Sequence, residues 1–373
     1  MVIEIIFVLA GISYAMLIGW FTAGWLRLPV FWPKGNGSAR LSVIIALRNE
    51  ERNIVKLMES LRWQKYPAEH FEVLIIDDHS TDSTPDLVAQ RLASGMYSNF
   101  RLIGASDFIE IQGKKNAITL GVRHSQFEWV VTTDADCIMG RHWLQSISDF
   151  IESQNPNMVI GQVIIEHRNS LFSQMQALEF MSLSGATAGS AAIGRPIMCN
   201  GANLAFRKDL FEKTGGYQGN EHYASGDDMF LLLKFKKLPD AHIAFLKSHG
   251  ALVYTRATAS LKEFFNQRAR WAGKASGYRD GFTLATGLVV SATNLLIVAG
   301  TIAGLFLSGK YLLAALLLLI FKAAVDLPIL YNITGFLRKR ELMWLYPALF
   351  LVYPFYVIIS LGLGLFAKPK WKN

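Results

Sequence analysis

The sequence predicts an α/β fold, a mainly parallel sheet with flanking helices, joined to transmembrane α-helices, one N-terminal and about three C-terminal. Two observations carry this expectation. Between residues 41 and 134, short apolar runs alternate with helical patterns, the arrangement of a parallel sheet covered by helices on both faces. Outside that region, residues 5–25, 282–309 and 342–367 carry no charge. Each run exceeds the roughly 20 residues that a helix needs to cross a bilayer. A further segment, 311–337, is equally apolar except for Lys322 and Asp326.

Taken in order, the first apolar run reads as a retained anchor. Met1-Val-Ile-Glu4 lacks the basic start of a secretory signal, and no small-residue cleavage pattern follows the run. Arg27, Lys34 and Arg40 come next, which places the central domain on the cytoplasmic side of a cell membrane. A strand is expected at 41–47, a polar helix at 51–64, and a strand at 71–76 that ends directly on Asp77-Asp78. A helix follows Pro85, then a strand at 100–103, a helix opened by Gly113-Lys114-Lys115-Asn116, and a strand at 129–133 ending on Asp134. Later, 158–165 and 199–206 read as strands and 171–185 as an apolar-faced helix. Leu261, Phe264, Phe265 and Ala269 share one face of a helix suited to a membrane surface. The resulting division is an anchor at 1–26, a linker at 27–40, a central α/β domain at 41–257, an interfacial helix region at 258–281, membrane segments at 282–367 and a basic tail at 368–373.

Composition narrows the function classes. A hydrophobic content of 51% in 373 residues is high for a soluble enzyme, and the membrane segments account for it. The net charge of +8 gathers near those segments (Arg338-Lys339-Arg340; Lys368, Lys370, Lys372) and around Arg268 and Arg270. Attraction to anionic lipid headgroups explains that distribution better than nucleic acid, for which no module is present. Cys137 and Cys199, the two cysteines, have neither metal-cluster spacing nor a disulfide framework and are expected to be reduced. No G-x-G-x-x-G follows the first strand, which argues against a nicotinamide or flavin enzyme.

Four motifs remain. In parallel sheets ligands bind at the carboxyl ends of strands, where Asp78, Asp134 and Asp136 all fall. Asp78 suits a base N–H or a ribose hydroxyl, while Ser80, Asp82 and Ser83 equally suit a helix cap. Asp134-Ala-Asp136 offers two hard oxygen ligands on one loop for Mg²⁺ or Mn²⁺ bridging a diphosphate, although Asp-rich turns are common. Asp227-Asp228 opens a helix, where a carboxylate either compensates the dipole or acts as a general base. Gln267, Arg270 and Trp271 share a helical face that fits phosphate and a sugar ring, or alternatively lipid headgroups. Lys322 and Asp326, four apart at membrane depth, make an intrahelical ion pair or steer an acceptor headgroup.

Read together, Ser42-Val-Ile-Ile-Ala-Leu-Arg-Asn-Glu50, Ile76-Asp-Asp-His-Ser-Thr-Asp82, Thr133-Asp-Ala-Asp136, Gly226-Asp-Asp228 and Gln267-Arg-Ala-Arg-Trp271 resemble the membrane-integrated glycosyltransferases of family 2. That resemblance spans roughly residues 41–275 and implies a GT-A type, Rossmann-like fold. It implies inverting transfer from a nucleotide-diphospho-sugar, most often a UDP-sugar, to a lipid or glycan acceptor. By position it puts Glu50 and Asp78 at the nucleoside, Lys114 near the nucleotide, and Asp136 with Asp134 at the metal and ribose. Asp228 becomes the catalytic base, and Gln267, Arg270 and Trp271 line the diphosphate and acceptor region. Two positions depart from the family pattern: Arg48 where an aromatic residue is usual, and Asp227 where Glu is usual. A processive polysaccharide synthase shares the last motif, and a non-catalytic nucleotide-sugar-binding scaffold is the rival from another class. Three C-terminal spans would send the lysine tail outside, against the positive-inside tendency, unless one segment is re-entrant or the tail lysines snorkel to the interface.

Overall fold

The computed structural model describes residues 2–105, 113–167, 170–220 and 226–366; the basic tail at 368–373 lies outside them. The chain opens with one apolar helix, α1 (Val2–Arg27), and then enters alternating strands and helices: β1 (Leu41–Leu47), α2 (Ile54–Arg62), β2 (Phe71–Asp77), α3 (Thr84–Ala93), β3 (Phe100–Gly104), α4 (Lys114–His124) and β4 (Trp129–Asp134). These strands pair in parallel in the order β3-β2-β1-β4. All side chains of β1 and β2 are buried, so the sequence shows continuous apolar runs there instead of alternation.

The second half of the sheet departs from the expected strands. Residues 158–165 form two strands, β6 (Met158–Gly161) and β7 (Val163–Glu166), preceded by β5 (Ile138–Met139) and α5 (Trp143–Gln154). Asn203 explains the break. Its Nδ2 donates to the Gln162 carbonyl at 2.9 Å and the Ala251 carbonyl at 2.8 Å, and its Oδ1 accepts from Trp143 Nε1 at 3.0 Å. A Cβ at Gly161 would collide with the same amide. The expected strand at 199–206 is shorter, because residues Gly201–Asn203 form a 3-10 turn. Beyond α6 (Leu171–Ala192), β8 (Leu204–Arg207) runs antiparallel to both β4 and β6. After α7 (Lys208–Lys213) and α8 (Asp227–Phe235), β9 (Ile243–Leu246) closes a mixed seven-stranded sheet, while β10 (Val253–Arg256) joins β5 and β7 in a second.

The chain then continues through α9 (Leu261–Gly273), α10 (Gly281–Phe306), α11 (Gly309–Phe336) and α12 (Tyr346–Phe366). Two compact units result. The sheet unit comprises 29–166 and 198–256; α1, the segment 167–197 and residues 257–366 form the other. Thus α6 groups with the apolar helices and not with the sheets that flank it in sequence. Four segments of the second unit are long and apolar enough to span a membrane: 3–27, 281–306, 309–336 and 340–364. Gly24 and Gly189 let α1 and α6 approach backbone to backbone, since a Cβ on either would strike the other helix. Lys322 and Asp326 form the intrahelical pair, 2.6 Å apart, and Tyr14 of α1 donates to the second Asp326 oxygen at 2.7 Å. Both carboxylate oxygens are thereby engaged inside the bundle.

Candidate active site

Strand register brings the acids of the sheet unit to one edge. Asp77 pairs with Leu47, and Asp134 with Ala46, so β1, β2 and β4 end level with one another. The turns that follow β1 and β2 lock together. Asn49 and His79 both adopt left-handed backbone, the Asn49 N–H donates to Ser80 Oγ at 2.9 Å, and the Thr81 N–H returns a bond to Asn49 Oδ1 at 2.8 Å. Ser83 stands at the cap position of α3 without a side-chain cap bond, and Asp82 before it accepts from the Thr84 N–H at 3.0 Å.

Asp78 is completely buried and accepts the Gly113 N–H at 2.9 Å. Gly113 precedes α4 with φ of 90°, so Asp78 fixes the turn that delivers Lys114. Glu50, also buried, accepts from Asn53 Nδ2 at 2.7 Å while its own N–H donates to Thr84 Oγ1. Arg48 Nε is a buried donor with no partner among the described residues.

Lys114 is the centre of the cluster. Its Nζ lies 2.6 Å from Asp134 Oδ1 and 3.3 Å from Asp227 Oδ2. Burial alone would lower its pKa, but the charges of Asp134, Asp227 and Asp228 outweigh that and hold it well above the ordinary lysine value. Asp227 and Asp228 open α8 behind a left-handed Gly226, which offers no side-chain cap. Asp228 Oδ1 accepts from the Met229 N–H at 2.7 Å, and its Oδ2 lies 3.4 Å from the Gly201 nitrogen. Gly201 is needed for space: a Cβ there would lie 3.0 Å from Asp227 Oδ2 and 3.6 Å from Lys114 Nζ. Burial, then Asp227, pushes the Tyr217 hydroxyl well up, so it stays protonated beside these acids. Sequence reasoning passed over Gly201 and Tyr217, because neither sits in a motif whose residue type signals chemistry.

Asp136 stands one residue beyond the lysine-bound carboxylate. Its Oδ2 accepts from Thr255 Oγ1 at 3.2 Å, and the Cys137 thiol approaches Oδ1 at 3.7 Å. Burial, then Asp136 and Asp134, raises the Cys137 pKa well above the usual thiol value, which keeps it from acting as a thiolate. Among the described residues no three His, Cys, Asp or Glu side chains gather as a metal cage. This donor set does fit Mg²⁺ or Mn²⁺ at Asp136 and Asp134, because such ions take one or two carboxylates and fill the remaining positions with diphosphate oxygens and water.

The last motif belongs to the helical unit. On α9 the buried cation is Arg268, not Arg270: Arg268 is 3% exposed and pairs with Glu179 of α6 at 2.5 Å. Phe264 and Ala269 turn inward with it, whereas Leu261 is exposed, which revises the apolar face expected from sequence. Gln267 Oε1 accepts from Arg268 Nη1 at 3.2 Å, and the Trp271 ring lies 4.1 Å from the Arg268 guanidinium carbon. Burial lowers the Arg270 pKa.

The structure thus combines a sheet that carries acids at its carboxyl edge with helices long and apolar enough to cross a membrane. Residues 42–215 match the model for glycosyl transferase family 2, and residues 129–360 match that for glycosyl transferase family group 2. The second match covers well over half the chain, and the chain belongs to glycosyl transferase family group 2. The glycosyltransferase AglE of Haloferax volcanii is 26% identical over 212 residues, 57% of this chain and 65% of that protein. The poly-beta-1,6-N-acetyl-D-glucosamine synthase of Staphylococcus epidermidis is 24% identical over 237 residues, 62% of this chain and 53% of that one. The chain thus spans between about half and about two thirds of these curated relatives. Among solved structures, the mannosyltransferase PcManGT from Pyrobaculum calidifontis, in complex with GDP-Man and Mn²⁺, aligns over 98% of this chain and 99% of its own with a TM-score of 0.64. At 20% identity that likeness establishes the GT-A-like fold.

Proposed function

We propose that this chain is an inverting glycosyltransferase that moves a sugar from a nucleotide-diphospho-sugar to a lipid-linked or membrane-proximal acceptor in glycolipid or cell-envelope glycan synthesis. The observation that carries the reading is the meeting of Asp134, Asp227 and Asp228 around Lys114 at the carboxyl edge of the sheet. A UDP-sugar is the first donor to test. A GDP-sugar is the second, because the mannosyltransferase of like fold was solved with GDP-Man.

In this scheme the acceptor oxygen forms a bond to the anomeric carbon as the bond from that carbon to the diphosphate oxygen breaks. Asp228 takes the acceptor hydroxyl proton, and the nucleoside diphosphate leaves with the bonding electron pair. One displacement inverts the anomeric centre. Mg²⁺ or Mn²⁺ held by Asp136 and Asp134 would neutralise charge growing on the departing diphosphate. Lys114 holds Asp134 and Asp227 in place as a fixed countercharge, while Glu50 and Asp78 brace the turns on which a nucleoside would rest. Arg27, Lys34, Arg40 and Arg338-Lys339-Arg340 favour a cytoplasmic face for the sheet unit.

The test is nucleotide release from a panel of UDP-, GDP- and dTDP-sugars, with Mg²⁺ or Mn²⁺, against native lipid extract. Acceptor-dependent release of one nucleoside diphosphate is expected. Nucleotide-sugar binding without turnover across the panel would favour a non-catalytic scaffold. Product length separates single transfer from the processive synthesis suggested by the Staphylococcus relative: one added sugar supports the present reading, a long polymer the other.

A further inference from the structure

Arg268 does not lie on the face formed by Gln267, Arg270 and Trp271, yet it touches two of those three residues. It donates to Gln267 at 3.2 Å and lies under the Trp271 ring at 4.1 Å, with the Phe264 ring at 4.7 Å. Its charge is met by Glu179 Oε2 at 2.5 Å, and Tyr356 of α12 donates to Glu179 Oε1 at 3.0 Å. Glu179 is 3% exposed, like Arg268. One carboxylate in α6 therefore ties α9 to α12 through a single guanidinium.

Stability is a poor reason for such a pair. Desolvating two charges offsets most of their attraction, and apolar replacements of similar volume often do as well or better. Arg268 Nε adds a further cost, being buried without a partner among the described residues. A planar guanidinium does supply direction: it can bond Glu179 and Gln267 at once while presenting its face to an indole. A lysine or a leucine offers no equivalent geometry.

We infer that Glu179 and Arg268, with Tyr356, are positioning residues that set the orientation of Gln267 and Trp271 for the acceptor. This rests on the proposed transferase reading, in which Gln267, Arg270 and Trp271 serve the diphosphate and acceptor. Glu179, Arg268 and Tyr356 all belong to the helical unit, whereas the acids that hold the donor in that reading belong to the sheet unit, so the latch is assigned to the acceptor. Loosening it leaves donor chemistry competent and makes acceptor capture slow. Donor transfer to water then gains at the expense of transfer to the acceptor.

The experiment uses the full-length protein in detergent or nanodiscs, with the nucleotide-sugar that the unaltered protein consumes. Glu179→Gln and Arg268→Lys are compared with the parent for acceptor-dependent and acceptor-independent nucleotide release. Displacing a positioned group by about 1 Å can cost about a hundredfold, so acceptor-dependent kcat should fall by roughly ten- to a hundredfold. Donor KM should stay within about twofold, release into water should persist, and Glu179→Asp should recover part of the loss. Acceptor-dependent turnover within about twofold of the parent in Glu179→Gln overturns the inference, and so does a donor KM that rises as kcat falls. If Glu179→Gln fails to fold, Tyr356→Phe carries the same comparison, with the same unchanged turnover overturning it. An unaltered protein that consumes no donor at all sinks the transferase reading instead, so the two failures are distinct.

Discussion

Lys114 Nζ lies 2.6 Å from Asp134 Oδ1, joining the start of α4 to the end of β4 across the carboxyl edge of the sheet. That lysine sits among three carboxylates, and its removal leaves them to repel one another. The pH dependence follows from its raised pKa. A cation whose folded pKa exceeds its unfolded value near 10.5 contributes its full stability below that value and loses it only as pH climbs through the higher folded value. The thermal stability of Lys114→Met should therefore lie below the parent by an amount constant from about pH 7 to about pH 10. Scanning both proteins over that window checks it; a deficit that already shrinks near pH 8 contradicts the assignment.

Asp228→Asn keeps the shape of the acid and the start of α8 but removes its ability to accept a proton. A general base contributes about 10²- to 10⁴-fold, and acceptor-dependent turnover should fall by that factor. Donor affinity, measured calorimetrically, should change little, because the donor-facing acids remain. A loss of binding equal to the loss of rate would make Asp228 a binding residue.

Gly201 tests the same centre from its backbone side. It is not among the glycines with positive φ, so alanine meets no backbone strain there. A methyl group would nevertheless lie 3.0 Å from Asp227 Oδ2. Gly201→Ala should fold normally and lose roughly tenfold in kcat, since small displacements at a reacting centre are costly. Full activity would show that Asp227 can shift without consequence.

The legibility of this chain in its sequence varies with the kind of pattern involved. The strands β1, β2 and β4, and the acids that close β2 and β4, were readable, because a strand buried on both faces writes a continuous apolar run that stops where the chemistry starts. The break at Gln162 was not, because it depends on Asn203 reaching from 41 residues away in sequence. The helix α5 went unassigned although Trp143, Leu144 and Ile147 are buried at helical spacing. Arg268 had a usable signal, since it stands four residues after Phe264 on the same buried stripe. The partner Glu179 left none, lying in a helix whose apolar content pointed only to a core.

Within the helical unit, Lys322 and Asp326 form a pair that Tyr14 completes. Removing one partner of a buried pair costs about 3–5 kcal/mol, whereas replacing both by apolar groups is often neutral. Lys322→Met should lower Tm markedly, and Lys322→Met with Asp326→Leu should recover most of the loss. Turnover per folded molecule should match the parent in the double variant. Reduced acceptor affinity there would instead give the pair a part in headgroup steering.

The course of α12 predicts where the chain's basic end lies. Phe282, at the start of α10, packs on Trp20 and Phe21 near the end of α1, and Trp25 packs on Phe336 at the end of α11. These three helix ends therefore share one face of the unit. Along its second half α12 follows α9: Tyr356 stacks with Phe264 at 5.4 Å, and Gly364 abuts Ala272 and Gly273. The end of α9 is followed within a few residues by the start of α10, so Gly364 lies towards the face where α10 begins. We therefore expect α12 to end on the face of the unit where α10 begins. The positive-inside tendency asks for the same side for Lys368, Lys370 and Lys372 as for Arg338-Lys339-Arg340. Single cysteines at positions 308 and 370, in a chain whose own two cysteines are buried, give the readout with an impermeant maleimide on sealed vesicles. Labelling of the two positions from opposite sides is expected, and labelling of both from one side would make α12 a full span.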